Sequence, residues 1–283
     1  MSAYLADTAE DLTVEGPSAR FTYRRMGPRG GTPLILLNRL RGTIDHWDPQ
    51  LLDYLAAAHD VIVFDDIGVG YTTGEPRDTV EGFADGAIEF ITALGLAEVD
   101  LLGWTLGGTV AQHITLRRPD LIRRVVLASS NPGGHVPGEP APNEKVLATM
   151  TKPEATAEDL VYLFFPETEA GRTAGHAYLE RIATRLAIGG PGLSEAAAKG
   201  QLTAVGRNMS KPSDQVRTYL DGIKQPVLYA TGIRDVMTPA VISYAAAEHT
   251  EGAVLVAYSD AGHAFLFQHA RDFSSQVTNF LSR

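Results

Sequence analysis

Six short apolar runs rich in β-branched residues, Leu34 to Asn38, Val61 to Asp65, Val99 to Trp104, Arg124 to Ser129, Pro226 to Thr231 and Ala253 to Tyr258, alternate with stretches of helical spacing. Runs this short with little polar alternation read as strands buried on both faces, and strands joined through helices lie parallel. The pattern predicts an α/β fold with helices on both faces of a mostly parallel sheet. Ahead of these runs, Leu12 to Glu15 and Arg20 to Arg25 alternate like half-exposed strands around a Gly16-Pro17 turn, so the sheet is expected to be mixed, with an antiparallel edge. Asp48 to Ala58, Thr79 to Leu94, Leu106 to Arg117, Pro239 to His249 and Phe265 to Leu281 carry helical spacing, several with Asp, Thr or Pro near the start.

From Asn131 to about Lys211 the alternation stops. Pro132-Gly133-Gly134 and Pro137-Gly138-Glu139-Pro140 form a loop, and helical segments follow around Asn143 to Met150, Ala157 to Phe165, Glu169 to Leu186 and Ser194 to Val205. An all-helical insert between two strands suits a lid over the carboxyl ends of the sheet, where such sheets hold ligands. The expected division is a core of residues 1–131 and 212–283 and a helical cap of residues 132–211.

Charge and composition narrow the function classes. Asp and Glu outnumber Lys and Arg by 34 to 24 with no basic run, so the footprint of a nucleic-acid binder is missing. No apolar run approaches the roughly 20 residues that cross a bilayer. Met1 to Glu15 carries Asp7, Glu10, Asp11 and Glu15 and lacks a basic start followed by an apolar stretch, unlike a secretory signal. Cysteine is absent, which excludes disulfides, thiolate metal sites and a cysteine nucleophile. No histidine pair has metal-ligand spacing with a third acidic ligand; His59, His113, His176, His249 and His269 lie in helical patterns as packing or surface residues. The expectation is a cytoplasmic protein without metal or cofactor.

Gly103-Trp104-Thr105-Leu106-Gly107-Gly108 lies between an apolar strand and an amphipathic helix. A sharp strand-turn-helix elbow needs glycines flanking a hydroxyl, because side chains there crowd the turn and block the reacting carbon. A hydroxyl nucleophile also needs a base, and the base a group that fixes its tautomer. Asp235, in Gly232-Ile233-Arg234-Asp235, and His263, in Asp260-Ala261-Gly262-His263, each follow a strand. The chain order hydroxyl, acid, histidine is that of elbow-type hydrolases.

With these residues in place the chain resembles the α/β-hydrolase fold family over nearly its whole length. The resemblance implies Thr105 as nucleophile, where the family usually has Ser, His263 as base and Asp235 as orienting acid, with oxyanion donors at the N–H groups of Leu106 and Leu40. The acidic, glycine-rich Asp65-Asp66-Ile67-Gly68-Val69-Gly70 resembles a turn that braces the sheet end. The third-strand loop usually begins His-Gly, but here it reads Asn38-Arg39-Leu40-Arg41-Gly42. Arg39 is a candidate site cation, with surface pairing to Asp45, Asp48 or Asp66 as the plainer role. His46, Trp47, Trp104, Tyr162 and Phe165 are candidate pocket residues, although a Trp beside an elbow is more often core. The implied activity is cofactor-independent hydrolysis of a small or medium apolar ester or lactone through an acyl-enzyme on Thr105. Because a β-branched residue is stiff at χ1 and strained at positive φ, two alternatives stay open: a blunted site that binds a small apolar ligand, and a non-hydrolytic activity using the acid-base pair.

Overall fold

The structure is a computed structural model describing residues 4–141 and 143–283; Met1 to Ala3, at the start of the acidic N-terminal stretch, and Pro142, in the expected cap, lie outside the described residues. Eight strands form one sheet: β1 (Leu12–Glu15), β2 (Arg20–Met26), β3 (Leu34–Leu37), β4 (Val61–Phe64), β5 (Val99–Trp104), β6 (Ile122–Ala128), β7 (Val227–Gly232) and β8 (Val254–Tyr258). Their spatial order is β1-β2-β4-β3-β5-β6-β7-β8. β2 runs antiparallel to both neighbours and every other pairing is parallel, giving the mixed, mostly parallel sheet expected.

The helices are α1 (Leu5–Thr8), α2 (Pro49–Ala56), α3 (Val80–Ala93), α4 (Leu106–Arg117), α5 (Glu144–Met150), α6 (Ala157–Phe164), α7 (Glu169–Leu186), α8 (Glu195–Met209), α9 (Ser213–Asp221), α10 (Ala240–Glu248), α11 (Phe265–Gln268) and α12 (Ala270–Leu281). The single helix read over Phe265 to Leu281 is two, broken at His269, whose φ of −116° and ψ of 38° leave the helical region. α9, α1 and a short 3₁₀ turn at Ile44–His46 add to the helices expected from spacing; α1 and the turn are too short for periodicity to declare itself. His59 and His249 fall just beyond α2 and α10 rather than within them.

Side chains along a strand alternate faces, and the core divides accordingly. Leu34, Leu36, Val61 and Val63 join one apolar cluster, Ile35, Leu37, Ile62 and Phe64 the other. The segment between β6 and β7 straddles this division. Val146, Phe164, Phe165, Tyr178 and Ile182 from α5 to α7 belong to the first cluster, whereas Ala204 of α8 and Val216 and Leu220 of α9 belong to the second. α7 is pinned to the body by Arg181, which makes a bidentate pair with the fully buried Asp48, and by the Tyr178 hydroxyl, which donates to the His46 carbonyl at 2.9 Å. No helix among the described residues is long and apolar enough to cross a membrane.

Candidate active site

Among the described residues, three non-glycine residues have positive φ: Arg41 (60°), Thr105 (51°) and Ser129 (44°), past the carboxyl ends of β3, β5 and β6. Such conformations cost of order 1–3 kcal/mol each, and they persist where surrounding structure over-determines them. At Thr105 the determinants are visible. Its N–H donates to the Ala128 carbonyl at 2.9 Å, and its own carbonyl accepts the N–H of Gly108, the N–H of Thr109 and the Ser130 hydroxyl. The flanking glycines are steric requirements: a Cβ on Gly107 would strike the Leu37 carbonyl, and one on Gly103 the backbone of Gly107 and Gly108. The elbow is therefore a close approach of β3, β5 and α4, legible as Gly-x-Thr-x-Gly.

His263 and Asp235 come together from loops after β8 and β7. Nδ1 of His263 lies 2.8 Å from Oδ2 of Asp235, with both side chains fully buried. Oδ1 of Asp235 accepts the N–H groups of Met237 and Thr238, each at 2.8 Å, so the carboxylate is held through both oxygens. A carboxylate accepts only, which assigns the proton to Nδ1 and leaves Nε2 with a lone pair. The Trp104 indole N–H donates to the His263 carbonyl, and the Phe164 carbonyl accepts the Ala264 N–H, bracing the loop from the body and the insert. Nε2 itself is buried and hydrogen-bonds to nothing among the described residues, the Thr105 hydroxyl included.

Thr105, Leu106, Leu40 and Asp235 share the wall of a cavity of about 550 Å³, with α5 and α8 on the facing side through Leu147, Met150, Val205 and Asn208. The backbone N–H groups of Leu40 and Leu106 make no hydrogen bond among the described residues. Leu106 opens α4, so its N–H stands at the positive end of a helix dipole. No Lys or Arg lies on this wall; its ionisable side chains are His135, Glu139 and Asp235.

The five residues expected to line the pocket lie elsewhere. Trp47 and Trp104 are buried in the aromatic core with Phe267 and Phe164. Tyr162 and Phe165 border a separate shallow depression beside Arg234. Arg39 is buried and forms no carboxylate pair among the described residues; Asp45 is taken by Arg24 and Asp48 by Arg181. Its guanidinium stands 5.0 Å from the Phe164 ring centroid and 5.7 Å from that of Trp104, and donates to the Leu40 carbonyl. Burial lowers its pKa from the usual guanidinium range. The same burial, with the nearby Arg39 charge, pushes the pKa of His46 down to about 3; its Nδ1 accepts the Thr43 N–H, so it packs as a neutral ring. Asp65 does the bracing expected of its turn, accepting the N–H groups of Ile44 and Tyr71. Asn131 and Asn208 on the cavity wall, and Arg41 and Gln201 beside it, carry no signal in the sequence, because no periodicity or motif marks a loop residue or one polar side of a helix.

Residues 32–270 match the family described as the alpha/beta hydrolase fold. The chain belongs to the α/β-hydrolase family. An alpha/beta hydrolase fold protein from Chitinophaga pinensis superposes with a TM-score of 0.87 at 31% identity over 98% of each chain. Among curated proteins, this α/β-hydrolase is 27% identical to the pimeloyl-[acyl-carrier protein] methyl ester esterase of Chromobacterium violaceum, over 82% of this chain and 87% of that one. It is also 27% identical to the (E)-2-((N-methylformamido)methylene)succinate hydrolase of Acinetobacter baylyi, over 75% of this chain and 71% of its relative.

Proposed function

We propose that this α/β-hydrolase cleaves a small or medium, uncharged, mostly apolar carboxylic ester or lactone through an acyl-enzyme on Thr105. The observation that carries the reading is the pairing of a strained, cavity-facing Thr105 with a buried His263 whose tautomer Asp235 fixes. In the reaction, the Thr105 hydroxyl turns to Nε2 and attacks the carbonyl carbon as His263 takes its proton. Charge develops on the carbonyl oxygen between the N–H groups of Leu40 and Leu106. The imidazolium, stabilised by Asp235, then protonates the leaving alkoxide, and water activated by the same base releases the acid. A wall without Lys or Arg but with two carboxylates disfavours substrates that carry their own carboxylate. Relatives named as an ester esterase and a hydrolase support the reaction class.

A second reading has its own observation. Nε2 of His263 has no hydrogen-bond partner among the described residues, which is what a site with a blunted nucleophile, retained for binding, also presents. Intact-mass labelling with a fluorophosphonate separates the two. The acyl-enzyme reading expects one adduct on this protein that maps to Thr105 and is absent from Thr105→Ala. No adduct here with rapid labelling of Thr105→Ser selects the blunted site, and no adduct on either removes nucleophilic catalysis at this elbow.

A further inference from the structure

One residue ties the loop after β3 to the helices that roof the cavity. The chain turns through Arg39 to Gly42, with the Gly42 N–H donating to the Arg39 carbonyl at 3.1 Å. Arg41 holds the third position of this turn at φ 60°, where a turn of this hand ordinarily takes glycine. Among the described residues its hydrogen bonds run to α8, to the carboxyl end of α5 and to the loop after α5. The backbone N–H donates to Oε1 of the buried Gln201, on α8, at 2.7 Å. The guanidinium donates to the carbonyl of Met150, the last residue of α5, where helix carbonyls lack internal partners, and to those of Lys152 and Pro153 in the loop that follows. From below, Arg39 Nη1 donates to the Leu40 carbonyl at 2.7 Å.

The Leu40–Arg41 peptide is thereby gripped at its carbonyl from the body and at its N–H from the insert. One peptide upstream stands the unbonded Leu40 N–H, the second oxyanion donor in the reaction proposed above, on which this inference rests. Helices α5 and α8 carry both the latch and cavity wall, through Met150 and Asn208. α7, by contrast, has its own anchorage at Asp48 and His46. A substrate that seats α5 and α8 therefore also sets the loop.

We propose that Arg41 is a positioning residue that makes the aim of the Leu40 N–H depend on the seating of α5 and α8, so that the oxyanion hole is complete only under a closed insert. Arg41→Gly keeps a backbone that tolerates φ 60° while removing the side-chain latch. Gln201→Met removes the acceptor for the Arg41 N–H, and Gln201→Glu retains one. For a p-nitrophenyl ester, Arg41→Gly and Gln201→Met are expected to lower kcat by about 10- to 100-fold with KM within about threefold, the signature of a donor used mainly in the transition state. Gln201→Glu stays within about threefold of the parent in kcat. Hydrogen–deuterium exchange of the peptide spanning residues 38–43 is expected to quicken in the first two variants and not in the third. Unchanged kcat in Arg41→Gly, or a lowered Tm with kcat intact, would overturn the proposal. Should the parent protein turn over no ester and take no fluorophosphonate, the reaction proposed above fails. The exchange measurement then decides the coupling alone, faster exchange in Gln201→Met sustaining it and unaltered exchange refuting it.

Discussion

Replacing Thr105 by Ser isolates the effect of a single methyl group at the proposed nucleophile. Thr105 sits at φ 51° and ψ −112°, and its hydroxyl makes no bond to Nε2 of His263. For the proposed attack, the threonine must turn a χ1 stiffened by β-branching and place its methyl somewhere in a crowded elbow. Turning off its preferred rotamer costs about 1 kcal/mol. At ~1.4 kcal/mol per tenfold, this corresponds to roughly fivefold in rate. Thr105→Ser should therefore raise kcat/KM on p-nitrophenyl acetate and butyrate by roughly that factor, and speed fluorophosphonate labelling in parallel, with Thr105→Ala as the zero. Thr105 lines the cavity and is half-buried, so Tm should move little. A Ser variant no faster than the parent, or an Ala variant that retains turnover, would refute the reasoning.

Three further outcomes are expected. Asp235→Asn keeps an oxygen for the Met237 and Thr238 N–H groups but cannot hold Nδ1–H of His263 through a carboxylate, so the fold should survive while kcat falls by about 10³- to 10⁴-fold, read by steady-state kinetics beside circular dichroism. Gly107→Ala drives a Cβ into the Leu37 carbonyl, and urea unfolding should show a loss of about 3 kcal/mol or failure to fold. The pH dependence of stability can be dissected by slope. Burial lowers the His46 pKa from 6.5 to about 3, so between these values the unfolded chain binds the extra proton and stability falls as pH falls. Burial raises the Asp65 pKa from 3.8 to about 7, so there the folded chain binds it and stability falls as pH rises. Between pH 4.5 and 6, His46→Gln should therefore lower the slope of unfolding free energy against pH by about 1.4 kcal/mol per unit and Asp65→Asn should raise it by about as much, whatever either does to absolute stability. Parallel slopes in the two variants would show that neither group titrates as its burial requires.

What the sequence by itself determined are the features written in local pattern. Strand and helix spacing specified the mixed sheet, because burial on one or both faces follows from which side chains repeat at a period of 2 or 3.6. Gly103, Thr105 and Gly107 specified the elbow, because only glycine permits β3, β5 and α4 to approach so closely. Asp235 and His263 were legible from their places after consecutive strands, which a parallel sheet brings to one end. Tertiary structure alone decided which side chains reach the cavity. Trp47 and Trp104 turn into the aromatic core, Tyr162 and Phe165 border another face, and Arg39 is buried beneath Leu40 without a carboxylate partner. It also decided that Arg41 would join Gln201 across 160 positions of chain. Such contacts depend on how helices of the insert dock across both cores, and docking is settled by the sum of many small packing energies that no local spacing encodes.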